Sequence, residues 1–303
     1  MPELTATVVI STKNRKDDLR RALQSCLKQT AAPEILVIDD GSTDGTEAMV
    51  RREFPSVRFV REEVSKGYIV RRNQGARLAN ADVIVSIDDD AEFISPNTVA
   101  QTLSEFSDPR IAAVAMPFVN VNDSPDVRQR APSANGIFLK ESFTGTAHAL
   151  LRRAFLAVGG YREALFHQGE EEDLCIRLLD AGYFTRLGNA DPIHHYESPK
   201  RDWRRMDLFG ARNKIMFSWS NVPQCYLLPH AAAATANRLL FGFRARRPLN
   251  AIHGLMMGYA ACARHLGDRR PVRGETYRLF RRLRKAPATR LAEALPHLAK
   301  SRS

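Results

Sequence analysis

The 303-residue sequence predicts an α/β protein: a doubly wound, mainly parallel sheet flanked by helices, with a basic α-helical C-terminal appendage. Three observations carry that expectation. Short β-branched runs alternate with amphipathic stretches through the first half, polar residues gather where the runs end, and charge divides sharply along the chain. Strand–helix alternation at this spacing gives parallel strands joined by right-handed crossovers, which bring the strands' C-terminal ends to one edge of the sheet.

Ala6–Ser11, Ile35–Asp39, Val57–Val60 and Val83–Ile87 are short apolar runs of the kind that form buried strands. Between them, Lys16–Lys28, Thr43–Arg52 and Val70–Ala79 carry helical spacing; in the first, Leu19, Ala22, Leu23, Cys26 and Leu27 fall on one face. A further strand, Ile111–Pro117, leads into Asn120–Thr146, which has little periodicity and reads as a long loop or flap. Helical pattern resumes at Glu170–Ala181 and Arg201–Trp219, and the tail holds candidate helices at Pro229–Phe243, Leu249–Leu266, Glu275–Lys285 and Thr289–Leu298.

Composition narrows the class. The chain is 44% hydrophobic and 26% charged, which excludes an intrinsically disordered protein. Its four cysteines are far apart with no CxxC pair, which excludes a zinc ribbon or a disulfide scaffold and suits a reducing compartment. No signal peptide is visible, and the uncharged run Ile215–Asn237 contains two prolines, so it reads as loop plus buried helix. A cytoplasmic location follows as the expectation. The formal charge of +11 hides a split: residues 1–199 carry 23 basic and 29 acidic side chains, residues 200–303 carry 22 and 5. An acidic body with a basic tail differs from a uniformly basic nucleic-acid binder.

Acidic clusters mark the predicted ligand edge. Asp88-Asp89-Asp90 closes the strand Val83–Ile87, and three adjacent carboxylates repel one another unless a cation or donors compensate them. Hard oxygen ligands suit Mg²⁺ or Mn²⁺, although a solvated acidic turn is the plainer alternative. Asp39-Asp40-Gly41-Ser42 ends a second strand, where a carboxylate can accept from a nucleobase N–H and Ser42 or Thr43 can cap the next helix. Gly169-Glu170-Glu171-Glu172-Asp173 opens a helix; acidic residues favour a helix N-terminus, but four in a row exceed that need and point to a general base. His194 and His195 end another apolar segment, where either is a structural histidine or a third metal ligand.

Taken in order, these pieces resemble family 2 of the nucleotide-sugar glycosyltransferases, which has the GT-A fold. The resemblance is carried by Val8–Arg15, Leu23–Thr30, Ile38–Thr46, Arg72–Gly75, Asp88–Asp90, Gly159–Tyr161 and Gly169–Leu174, in register across about residues 5–220. It implies an inverting transferase taking a nucleoside-diphosphate sugar. Ser11, Thr12, Asn14, Arg15, Asp39, Asp40, Arg72 and Asp89 are then the expected nucleotide-binding residues. Asp88 and Asp90, with His195 or His194, are the expected ligands of Mn²⁺ or Mg²⁺. Glu171 matches the family's usual catalytic aspartate, but the family's Glu-Asp pair reads Glu170-Glu171 here, which leaves Glu170 and Asp173 as rival bases.

The expected division is a catalytic domain over 1–220 and a basic helical region over 221–303. Arg269, Arg270, Arg273, Arg278, Arg281, Arg282, Arg284 and Lys285 form a cluster of the kind that docks on anionic membrane surfaces, unless it belongs to a solvated bundle packed on the body. A glycan or lipid-linked acceptor on the inner face of the cell membrane fits the first alternative. A non-catalytic sugar-nucleotide binder is the competing function, opposed by the intact acidic clusters. Nucleic acid is not an expected partner, because aromatic interleaving and a recognisable DNA-binding motif are both absent.

Overall fold

A computed structural model describes residues 4–197, 202–264 and 266–298. The β-branched runs of the first third form β1 (Ala6–Thr12), β2 (Glu34–Asp39), β3 (Arg58–Arg61) and β4 (Val83–Ile87). They are joined by α1 (Lys16–Cys26), α2 (Thr46–Glu53) and α3 (Tyr68–Leu78). On α1, Leu19, Ala22, Leu23 and Cys26 are buried, the stripe expected from their spacing. β1 pairs in parallel with both β2 and β4, and β2 with β3, so β1, β2 and β4 end at the same edge.

The middle of the chain adds β5 (Ala91–Phe93), α4 (Thr98–Ser104), β6 (Ile111–Ala115), β7 (Phe118–Asn120), β8 (Val127–Arg128), β9 (Phe138–Lys140), β10 (Ala147–Leu151) and α5 (Arg152–Ala157). After these come α6 (Glu170–Asp180), β11 (Phe184–Leu187) and β12 (Ile193–His195). Helices α7 (Trp203–Asn221), α8 (Gln224–Arg244), α9 (Pro248–Arg264) and α10 (Gly274–Lys285) follow, and β13 (Thr289–Arg290) and α11 (Leu291–Ala294) close the described chain. The large sheet has the order β13-β9-β11-β6-β10-β4-β1-β2-β3, and a smaller one runs β5-β12-β7-β8. β10 lies antiparallel between β4 and β6, while the β4-β1-β2-β3 half is parallel throughout. One continuous apolar core lies on both faces of the large sheet and extends under α7, α9 and α10. The expected α/β architecture with C-terminal helices is present.

Three local expectations are corrected. Asn120–Thr146 is not simply a flap: it contributes β8 to the small sheet and β9 to the large one. Residues 289–298 do not form one helix. Thr289 and Arg290 are extended and pair antiparallel with β9, and helix begins only at Leu291, whose amide donates to the Ile137 carbonyl at 2.9 Å. α8 begins five residues before Pro229 and runs through it. Proline there forfeits one backbone bond. Of α8's residues Gly242 alone is buried, so the part of the uncharged run that falls on it, read as a buried helix, is instead a surface helix packed beside α7 and α9. Arg201, the expected start of α7, lies outside the described residues, and the helix begins at Trp203 behind an Asp202 cap that accepts from the Arg205 amide at 2.9 Å.

Candidate active site

β4 delivers Asp88, Asp89 and Asp90 to the shared edge, beside the end of β1. The Thr12 hydroxyl donates to Asp89 Oδ2 at 2.8 Å, and Arg15 Nη1 lies 3.3 Å from Asp89 Oδ1 while also pairing with Asp90. Burial, opposed by Arg15 and reinforced by Asp90, pushes the Asp89 acid up to about 7. Burial alone would raise Asp90 as well, but His195 and Arg15 hold it below the ordinary carboxylate range.

His195 reaches this cluster because β12 pairs with β5 and β7, placing its Nε2 3.2 Å from Asp90 Oδ1 and 3.9 Å from Asp88 Oδ2. One ligand atom each from Asp88, Asp90 and His195 lies within 4.8 Å of the others. Two carboxylate oxygens and an imidazole nitrogen are a donor set that Mn²⁺ or Mg²⁺ accepts, and the half-exposed Asp88 opens it toward the cleft. The residues present fit a divalent cation. His194 projects to the other face of the strand, edge-on to Tyr196 at 6.3 Å between centroids, outside the cluster.

The remaining expected nucleotide contacts share this edge but are differently engaged. Asn14, at φ 54°, donates its amide to Ser42 Oγ at 2.9 Å and accepts from the Thr43 amide at 2.8 Å, clipping the loop after β1 to the loop after β2. Asp39 is fully buried and caps that second loop, accepting from the Ser42 amide at 3.1 Å. Asp40 accepts from Ser65 Oγ and Arg71 Nε, both at 2.6 Å, and from the Lys66 and Gly67 amides, both at 2.9 Å. Both carboxylates therefore hold loops in place. Ser11 remains half-buried at the end of β1.

Arg72 is buried between the two acidic groups. Its Nη2 donates to Asp88 Oδ1 at 2.6 Å and to the Gly145 carbonyl at 2.9 Å, while Nη1 lies 3.6 Å from Glu170 Oε1. The guanidinium stacks over Tyr68 at 4.9 Å. Thr146 Oγ1 adds a 3.0 Å bond to Asp88 Oδ2.

Across the cleft, α6 starts after Gly169 at φ 83°, a backbone conformation that favours glycine. Asn213 of α7 secures this entry: its Nδ2 donates to the His167 and Gln168 carbonyls, each at 2.7 Å. The four acids then diverge. Glu170 is fully buried, facing Tyr68 and the Arg72 guanidinium. Glu171 is half-buried and lines an opening of about 410 Å³ with Glu141, Ser142, Glu172, Lys214 and Arg284. A Cβ at position 145 would stand 2.5 Å from Glu171 Oε1, so only glycine lets the carboxylate lie there. Burial, with the neighbouring Glu170 charge, pushes Glu171 up to about 8. Asp173 instead bonds Arg177 Nη2 at 2.8 Å, Asn221 Nδ2 at 2.7 Å and Arg162 Nε at 3.2 Å, which commits it to packing α6.

Sequence reasoning did not find Gly145, Thr146, Asn213 or Lys214 as parts of this site. Gly145 and Thr146 fall in the aperiodic stretch after β9, and Asn213 and Lys214 on a helix whose pattern gave no polar signal; only their distant partners reveal them.

Comparisons with known proteins bear on the family and the fold. The description "Glycosyl transferase family 2" matches residues 7–163, just over half of the 303 residues. Over 198 residues the chain is 31% identical to the succinoglycan biosynthesis protein ExoU of Rhizobium meliloti, covering 58% of this chain and 57% of that one. Over 220 residues it is 29% identical to a pre-mycofactocin glycosyltransferase of Mycobacterium tuberculosis, covering 65% of this chain and 44% of that one. The chain thus spans about half the length of the curated relatives it matches. The mannosyltransferase PcManGT from Pyrobaculum calidifontis, solved with GDP-Man and Mn²⁺, superposes with a TM-score of 0.59 at 20% identity, over 88% of this chain and 87% of that one. GalNAc-T7, solved with UDP, GalNAc and Mn²⁺, gives 0.56 at 18% identity, over 82% and 59%. At these identities the solved structures share the GT-A fold. With its family description spanning β1 through the loop that precedes α6, this chain belongs to glycosyl transferase family 2.

Proposed function

We propose that this protein is an inverting glycosyltransferase that moves a sugar from a nucleoside-diphosphate sugar to a hydroxyl of a glycan or lipid-linked saccharide. The observation that carries the reading is a cation-binding cluster, Asp88, Asp90 and His195, near Glu171, which lines the neighbouring opening with Glu141 and Glu172 and, unlike them, forms no ion pair among the described residues. A divalent cation held there would supply positive charge against a leaving diphosphate. Glu171 takes the proton of the acceptor hydroxyl as that oxygen bonds to the anomeric carbon. The bond from that carbon to the diphosphate breaks, its electron pair leaves with the nucleoside diphosphate, and one displacement inverts the configuration. Burial beside Glu170 makes Glu171 a stronger base than an exposed carboxylate. Arg72 keeps the two acidic groups apart, and Thr12 and Arg15 orient Asp89 toward the donor edge.

The name of the Rhizobium meliloti relative supports a role in polysaccharide synthesis. Residues 1–220 carry donor binding and catalysis, and 221–303 carry docking, with β13 and α10 buttressing β9 and α6. No described helix is long and apolar enough to cross a membrane. The turn between α8 and α9 exposes Phe243 (64%) and Leu249 (78%) beside the exposed Arg244 and Arg246, a composition suited to the anionic cytoplasmic face of a membrane.

Thermal unfolding with a panel of nucleoside diphosphates, with and without Mn²⁺, tests the donor site. One nucleotide should raise Tm in a Mn²⁺-dependent way, by about 2.7 kcal/mol of added stability at a hundredfold excess over Kd. Asp90→Ala should lose the Mn²⁺ dependence. An unchanged response in that variant would remove the cation assignment, and binding without turnover would favour a non-catalytic binder.

A further inference from the structure

A second cavity, of about 680 Å³, lies between α7, α8 and α10, away from the donor edge. Five cations line it: Lys214, Arg238, Arg281, Arg284 and Lys285. Glu172 is the single carboxylate among the lining residues, and it is already shared by Lys214 and Arg284. Arg238 and Arg281 form no ion pair among the described residues; each lies over an aromatic ring, Phe241 and Tyr277, with 5.8 Å to the centroid. Burial pulls Lys214 down to about 8 and lowers Arg238 and Arg284, opposed by the nearby Glu141, Glu171 and Asp207 carboxylates, and the five cations still outnumber the one carboxylate that lines the cavity. An anion entering it would receive several charge-assisted hydrogen bonds, and arginine forks match the oxygens of a phosphate.

The cavity also shares a wall with the opening that Glu171 lines. Glu172, Lys214 and Arg284 line both, and Glu171 lines the opening of about 410 Å³. Tyr226 and Tyr277 pack on each other with their rings 4.9 Å apart and form part of the cavity's wall, Tyr277 being buried beneath Arg281.

We propose that this cavity is the acceptor's anchoring site and that the acceptor is a phosphorylated saccharide: its phosphate or diphosphate sits among Lys214, Arg238, Arg281 and Arg284 while its hydroxyl reaches Glu171. The inference rests on the transferase reading for the role of Glu171, but the anion site itself does not. A phosphate of this kind comes either from a lipid-linked diphosphate saccharide or from a soluble sugar phosphate.

Isothermal titration calorimetry on the full chain in EDTA separates the possibilities, because chelation removes cation-dependent binding at the donor edge. Pyrophosphate, glucose 1-phosphate and geranyl diphosphate are the probes, against wild type, Asp90→Ala, Arg281→Gln and the double variant Arg238→Gln/Arg281→Gln. The expected result is metal-independent binding that Asp90→Ala leaves intact. Arg281→Gln, at an exposed position, should weaken it severalfold, and the double variant should weaken it at least tenfold with an unchanged circular dichroism spectrum. Geranyl diphosphate binding more tightly than pyrophosphate assigns a lipid-linked acceptor; tighter glucose 1-phosphate assigns a soluble one. Absence of binding by all three probes, or equal binding by wild type and both arginine variants, overturns the proposal. Wild-type nucleotide binding in Mn²⁺, measured alongside, reports separately on the donor reading: its failure would leave a phosphate site standing without a transferase.

Discussion

Replacing Glu171 and Glu170 one at a time should separate the base from the group that tunes it. The groups facing Glu171 are Glu170 on its own helix, Arg72 from α3, Asp88 from the end of β4 and Lys214 from α7. With an acid at about 8, Glu171 is ionised in about one-tenth of molecules at pH 7, half at pH 8 and nine-tenths at pH 9. If it is the base, kcat/KM rises with pH by at most about tenfold between pH 7 and 9, since that profile reports the free enzyme. A cation at Asp88 and Asp90 favours the ionised form and moves this limb to lower pH, so every variant is compared at one saturating Mn²⁺ concentration. Glu170→Gln removes the adjacent negative charge; the limb should move to lower pH while kcat at its plateau is kept. Glu171→Gln should reduce kcat by about 10²–10⁴ and leave nucleotide binding intact. Stability supplies a second readout. The folded acid lies above its ordinary 4.5, so its stabilising contribution is complete below about 4.5 and is lost as pH rises through about 8. The neutral glutamine should flatten that decline in Tm. Loss of turnover in Glu170→Gln with turnover retained in Glu171→Gln would exchange their roles and refute this argument.

Two further outcomes bear on the frame around the site. Asp173→Asn leaves Arg162 and Arg177 facing a neutral group in a buried setting, and should cost about 3 kcal/mol in urea unfolding while the folded fraction keeps its turnover; lost turnover at unchanged stability would make Asp173 the base. Phe243→Ser/Leu249→Ser should weaken co-sedimentation with anionic phospholipid vesicles at least tenfold, since each side chain contributes about 2 kcal/mol when removed from water; undiminished binding would exclude this turn as the docking surface.

The parallel half of the fold was legible because each unit is local. A β-branched run, a polar turn and a helical stripe occupy consecutive residues, and β1, β2 and β4 follow from them with boundaries that shift by a residue or so. β13 was not legible, since Thr289 and Arg290 are extended only because β9, some 150 residues earlier, offers them a partner. The same limit applies to Asp40. Its place at a strand end suggested a ligand, but four of its contacts come from residues 65–67 and Arg71, in a loop and helix whose approach no periodicity announces.

The run Glu170–Asp173 shows why composition found the site without assigning it. Four consecutive acids are nearly equivalent as a sequence, and each favours a helix N-terminus. Once helical, successive side chains turn by about 100° and meet different surroundings. Glu170 points at buried Arg72, Glu171 at the cleft beside Gly145, Glu172 at Lys214 and Arg284, and Asp173 at Arg162, Arg177 and Asn221. Burial therefore tunes one carboxylate with another, and the next residue along ties the catalytic opening to the cation-lined cavity. A single helical turn thus joins the proposed base, the group that raises its pKa, the edge of the proposed anion site and an internal ion pair. A one-residue insertion before Gly169 would turn all four to wrong partners at once, leaving the acidic composition unchanged and the chemistry lost.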